Sequence, residues 1–170
     1  MYIGENFAVR MYKYFALRQL VQDKHSAGVI RTDFDPFKTM NTMSLSNSAR
    51  KLRDVPNAGG SSVVSEVLSY EVLHNCFGAN LMKTEMEVQY YPSGGSITDY
   101  TCSMFDVPLG VSVTRAMKYR GEFTEEDAHR LLYKKLNGVV QSSRNTMEGW
   151  TKQILHIWTT NTTTANIVCS

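Results

Sequence analysis

Between Ser62 and Gly78 the chain is apolar on nearly every side: Val63, Val64, Val67, Leu68, Val72, Leu73, Cys76 and Phe77 leave little room for a water-facing stripe. Ser61 or Ser62 can cap a helix here by accepting a backbone N–H of its first turn, and Gly78 is a natural stop, so the pattern predicts a helix over 63–77. Such a helix should be largely buried. Glu66 and Glu71 then lie among apolar neighbours, where a carboxylate is unusual unless it is paired, hydrogen-bonded or metal-bound.

Three runs that read as strands follow, over 81–91, 96–105 and 109–117. Pro92-Ser93-Gly94-Gly95 and Asp106-Val107-Pro108 separate them with turn chemistry, which suggests an antiparallel meander. Thr124-Glu125-Glu126-Asp127 has the form of a helix start. Behind it Ala128, Leu131, Leu132, Leu136, Val139 and Val140 form an apolar stripe, opposed by Arg130, Lys134, Lys135, Gln141 and Arg144. The stretch 153–160 reads as a strand buried on both faces, and 161–170 favours no element. Upstream, mixed three- and four-residue spacing over 6–23 predicts an amphipathic helix, and Asp33-Phe34-Asp35-Pro36 suits a strand or a turn. Residues 38–62 read as a polar connection with at most one helical turn, carrying the basic cluster Arg50, Lys51 and Arg53. The expected organisation is an N-terminal helix and connection over 1–58 and an α/β core over 59–170, together one compact domain.

Charge narrows the function classes. With 18 basic and 16 acidic residues among 170, the chain lacks the strong positive field of a general nucleic-acid or membrane-surface binder, so a nucleic-acid contact has to come from a local patch. Cys76, Cys102 and Cys169 are odd in number and widely spaced, which reads as free thiols in a reducing compartment. No stretch has the apolar length of a membrane span, and the charged residues within 1–18 leave no signal-peptide core. The expectation is an intracellular protein, cytoplasmic, nuclear or organellar, with no membrane partner. Scattered histidines and the absence of HExxH, GxSxG and GxGxxG leave zinc proteases, serine hydrolases and dinucleotide enzymes without support.

The order helix, three strands, helix, strand resembles the core of the PD-(D/E)XK nuclease superfamily, the fold of Holliday-junction resolvases and many restriction enzymes. The likeness runs over roughly 59–160. Glu66 stands in the place of the family's helix glutamate, with Glu71 as the fallback. Ser96-Ile97-Thr98-Asp99-Tyr100 is similar to the strand entry that carries the metal-binding aspartate, and Leu109-Gly110-Val111-Ser112-Val113-Thr114-Arg115 to the following strand. The resemblance implies a three-layer, restriction-endonuclease-like core with a mixed sheet between helices, and Mg²⁺ held by Glu66 and Asp99. It also implies DNA or RNA as partner, with Lys134, Gln141 and Arg144 tracking the backbone.

The catalytic strand departs from that pattern. With Val111 and Val113 on the core side, Ser112 and Thr114 fall where the family has its acid and its lysine, and hydroxyls supply neither charge. Arg115 or Lys118 could replace the lysine from a shifted position, Arg115 only across a bulge. Two readings follow. One is a metal-dependent nuclease with Glu66, Asp99, Ser112, Thr114 and Arg115 at its site. The other is a catalytically silent nuclease fold serving as a binding or assembly subunit, with a protein partner or a second copy. Each residue also has a purely structural alternative: Asp99 capping a turn, Glu66 and Glu71 pairing with bases of the connection, and the basic side of the later helix solvated. The Gly59-Gly60-Ser61-Ser62 turn could also hold a phosphate on its N–H groups.

Overall fold

The computed structural model describes residues 1–10, 13–58 and 62–170, which form two sheets and five helices. The smaller sheet is antiparallel throughout: β1 (Tyr2–Ile3) pairs with β2 (Phe7–Arg10), and β2 with β3 (Asp33–Pro36). The helix expected over 6–23 is therefore divided. Phe7, Ala8 and Val9 are all buried and extended against β3, and only Tyr14–Gln22 is helical, as α1. Strand pairing outweighed the helical spacing there, because a partner lay within reach. The polar connection also carries more structure than its composition suggests, namely a 3₁₀ turn over Met40–Thr42 and α2 (Asn47–Asp54).

The buried helix forms as expected: α3 spans Val63–Phe77, and Glu66, Val67, Tyr70, Glu71, Val72 and Leu73 are all enclosed. Gly78 ends it at φ 71°, a left-handed conformation that costs glycine little. The larger sheet has the order β4 (Asn80–Thr84), β5 (Tyr100–Met104), β6 (Val107–Ala116), β7 (Lys152–Thr159). Its first three strands are the expected meander, and β7 runs parallel to β6 after the crossover through α4 (Glu125–Asn145). The β5–β6 hairpin turns on Phe105 and Asp106, at φ 52° and 63°, so that Val107 and Pro108, expected in the turn with Asp106, already belong to β6. Because β7 ends the sheet order, it is half-buried along its length instead of sealed on both faces. The tail forms α5 (Thr162–Cys169), capped by Asn161, whose side chain accepts the Thr164 N–H at 2.8 Å.

Alternate residues of β7 show which helix covers which face. The Ser69 hydroxyl of α3 lies 2.7 Å from His156 Nδ1 and 2.9 Å from the Tyr100 hydroxyl, and the Trp158 indole N–H donates to the Ser65 carbonyl at 3.1 Å. From the opposite face Gln153 Nε2 donates to the Val139 carbonyl and the Ser142 hydroxyl of α4, at 3.1 and 2.7 Å. The sheet thus lies between α3 and α4. One apolar cluster joins α3, β5 and β6 to Phe7, Val9, Val21 and Leu52 of the N-terminal half. Cys76 and Cys102 are free and buried, Cys169 is free and exposed, and burial pushes the two enclosed thiols up to about 12. No described helix is long and apolar enough to cross a membrane.

Candidate functional site

Asp99 immediately precedes β5, and the chain is pinned around it from several directions. Thr98 N–H donates to the Tyr90 hydroxyl at 2.8 Å, and the Thr98 hydroxyl to the Val111 carbonyl at 2.8 Å. Asp99 N–H donates to the same carbonyl at 3.0 Å. The Asp99 carboxylate accepts Val113 N–H at 2.5 Å, so main chain and side chain together clamp β5 onto β6. Burial pushes Asp99 up to about 7, and the negative charges of Glu66 and Glu85 push the same way. The Val113 N–H and the Lys135 ammonium oppose them.

Glu66 sits in the first turn of α3, only 6% exposed. Desolvation raises its pKa and Glu85 adds repulsion, while a hydrogen bond from Ser62 and the charge of Lys135 favour the ionised form. Ser62 is the residue before the helix, but its side chain makes no capping bond to the backbone; it serves Glu66 instead. Ser61 and the Gly59-Gly60 turn lie outside the described residues. Glu71, the fallback, is engaged elsewhere. Its carboxylate accepts Ser46 N–H at 2.9 Å and Asn75 Nδ2 at 3.0 Å, fastening the start of α2 to α3.

On β6, Val111 and Val113 face the core as expected. The register with β7 runs unbroken from Leu109↔Lys152 to Ala116↔Thr159 and pairs Val113 with His156 and Arg115 with Trp158. Arg115 therefore leaves the sheet on the face that α3 covers, the side of Glu66, and needs no bulge to do so. Ser112 turns to the α4 face, where its hydroxyl lies 3.4 Å from Thr98 Oγ1 and 3.4 Å from Gln153 Oε1. A crevice of about 300 Å³ opens at this end of the sheet, between Ser62 just before α3, Ser65 of α3, Val113, Thr114 and Arg115 of β6, Met117 beyond it, and Lys135 of α4.

Lys118 is turned away by its ion pair with Asp127 at 2.9 Å. Of the three residues expected to track a nucleic-acid backbone, Lys134 and Arg144 are exposed on α4. Gln141 instead accepts the Ser96 N–H at 2.8 Å and closes over the turn at Gly95. Lys135 and Glu85 were not singled out in the sequence as site residues. Lys135 is one of several bases on a helix whose rotation about its axis only the fold sets. Glu85 lies in a stretch that reads as strand but forms a 3₁₀ turn over Glu85–Glu87, where its carboxylate also accepts Ala58 N–H at 2.5 Å.

A divalent cation would find two desolvated carboxylates here, Glu66 and Asp99, each of which it would relieve of repulsion. Among the described residues no three His, Cys, Asp or Glu side chains group closely enough to enclose an ion.

Fold and site together define a mixed α/β domain with a buried Glu66, a half-buried Asp99 and a basic crevice at one end of its larger sheet. The chain is similar to the AAC-rich mRNA clone AAC4 protein of Dictyostelium discoideum, 44% identical over an alignment of 157 positions that covers 87% of this chain and 23% of that protein. It thus spans less than a quarter of that relative's length. No protein-family model and no solved structure matches it.

Proposed function

We propose that this chain is a PD-(D/E)XK-like domain that contacts DNA or RNA at the Asp99 end of its larger sheet and hydrolyses a phosphodiester there with the help of Mg²⁺. The observation that carries the reading is Asp99 itself, a half-buried carboxylate at the entry to the middle strand of the meander, repelled by Glu66 and attracted by Lys135. Supporting it are the order α3, β4, β5, β6, α4, β7 and the placement of α3 and α4 on opposite faces of one mixed sheet. Glu66 and Asp99 would hold the Mg²⁺. When bound, the ion supplies an acidified water and neutralises phosphate charge. The Val113 N–H fixes the orientation of Asp99, Ser62 that of Glu66, and Arg115 and Lys135 draw the phosphate toward them.

Incubating the protein with single- and double-stranded DNA and RNA in Mg²⁺ or Mn²⁺ tests this. Cleavage by the wild type that disappears in a folded Asp99→Ala variant is the expected result. Absence of cleavage from every substrate, with nucleic-acid binding retained, would replace it with a second reading, a catalytically silent module of the same fold. That reading rests on Ser112, whose hydroxyl points at Gln153, and on an Asp99 carboxylate engaged by the backbone.

A further inference from the structure

We propose that α4 is the docking surface for a second copy of this chain, its exposed apolar stripe packing in antiparallel register against the same stripe of the other copy. The apolar side of α4 is wider than the sheet can cover. Ala128 and Ser142 are its buried residues, whereas Tyr133, Leu136 and Val140 are 69%, 50% and 46% exposed. Their spacing of three and four places them in one row along the water-facing side of the helix. The patch continues past both helix ends. Exposed Met147 donates its N–H to the Gln89 carbonyl at 2.8 Å, and exposed Tyr91 donates its own to the Asn145 carbonyl at 2.7 Å, so both stand at the C-terminal end of α4. Tyr119, also exposed, lies in the loop that leads into the N-terminal end. Single apolar side chains in water are ordinary, but a continuous row of this length marks a contact.

Charge selects both the occupant and its direction. Glu126 and Arg144 are about five helical turns apart, so they lie on one line beside the stripe. Glu126 pairs on the surface with Arg130 at 2.9 Å, and Arg144 is exposed. A two-fold axis crossing the helix at Lys135 makes the second α4 antiparallel and sets each flank against its own counterpart. Glu126 of each copy then meets Arg144 of the other, and Tyr133 of each falls between Leu136 and Val140 of the other. A parallel pair would instead set Arg144 on Arg144 and Glu126 on Glu126. Lys135 itself turns inward to line the crevice, which stays open in this arrangement. At each end Tyr91 and Met147 of one copy come beside the Tyr119 loop of the other. They extend the contact beyond one helix pair, toward the roughly 1,200–2,000 Å² of a stable interface. Arg144 thereby serves a protein contact instead of a nucleic-acid backbone.

Sedimentation velocity of the full chain over micromolar concentrations, at low and high salt, tests this. The wild type should dimerise, more weakly at high salt. Leu136→Glu and Tyr133→Glu, both at exposed positions, should be monomers with the circular dichroism of the wild type. Glu126→Arg and Arg144→Glu, measured separately, should each weaken the dimer about tenfold, since each brings two like charges together twice. An equimolar mixture of those two variants should regain wild-type association, because Arg at 126 then faces Glu at 144 and the native pair forms at the other end. A wild type that stays monomeric throughout overturns the proposal and leaves the stripe to a chain of different sequence. A dimer that Leu136→Glu and Tyr133→Glu leave intact overturns it too, since the copies then meet elsewhere. A mixture that associates no better than its separate components overturns the antiparallel register, and with it the argument for a second copy.

Discussion

At the scale of single residues, Asp99 and His156 carry opposite pH dependences. Asp99 is held up at about 7 against an ordinary 3.8, so the folded state binds its proton more tightly than the unfolded chain does. The stability this contributes is complete below about pH 4, and is lost as pH rises through 7. His156, stacked on Trp158 with ring centroids 4.6 Å apart, is pushed down to about 4 by desolvation, and its contribution is lost as pH falls from about 6.5 through 4. The two slopes offset each other over most of that window. Asp99→Asn keeps an acceptor for Val113 N–H and removes the charge, so it should leave stability at pH 4 nearly unchanged and raise it at pH 8. A shift of that size is worth up to ~4 kcal/mol, and water reaching the carboxylate reduces the expected gain to about 2 kcal/mol. Urea denaturation of both proteins at pH 4, 6 and 8 checks this; equal stability at pH 8 would mean that Asp99 is not penalised for its charge.

At the scale of elements, α3, the meander and α4 were legible in the sequence because each carries its own local signal. These were an apolar circumference closed by Gly78, strand runs parted by turn residues, and the Thr124–Asp127 box with both of its bonds formed. What sequence could not give was rotation and partnership. The spacing over 6–23 is compatible with a helix, and only the presence of β3 beside it decides that Phe7–Arg10 is extended. For the candidate site, Glu66 stood out in the sequence as a charge in apolar surroundings, and Asp99 by its place at a strand entry. The cation was not, since choosing Lys135 over Lys134 requires knowing how α4 lies on the sheet. That seating depends in part on Gln141, whose carboxamide oxygen accepts Ser96 N–H and whose side chain a Cβ on Gly95 would meet at 3.0 Å. Gly95 is at φ 89°, so an added side chain there would be strained as well as crowded. Gln141→Ala should accordingly lower stability by ~1 kcal/mol, while changing the salt slope of nucleic-acid binding far less than Lys135→Ala does. A binding defect in Gln141→Ala with unchanged Tm would return this residue to the nucleic-acid surface.

At the scale of the whole molecule, the question is whether the small sheet is a separate unit or part of the larger core. Its contacts are specific: Phe34 of β3 lies 5.0 Å from Phe7 and 5.1 Å from Trp158 of β7, ring centre to ring centre, and Tyr14 of α1 meets both Phe77 and Phe105. Lys152, where β7 begins, donates to the carbonyls of Leu20 and Ser26, tying the end of α1 to the larger sheet. Arg31 reaches Asn166 of α5 at 2.7 Å. Polar and apolar ties thus run from the N-terminal half to both sheet ends, and the buried cluster draws on both halves. Unfolding one part would expose the apolar face of the other, and neither has a second surface with which to bury it again. The chain should therefore melt in one transition, with tryptophan fluorescence, which reports Trp150 and Trp158 of the larger part, coinciding with far-ultraviolet circular dichroism. Phe34→Ala removes the ring that touches both sheets. It should cost ~2 kcal/mol, less than for a fully enclosed phenylalanine because Phe34 is half-buried, and should shift both signals together. Two separated transitions in the wild type, or a Phe34→Ala variant in which circular dichroism changes before fluorescence, would mean that the small sheet is only docked on a core that stands without it.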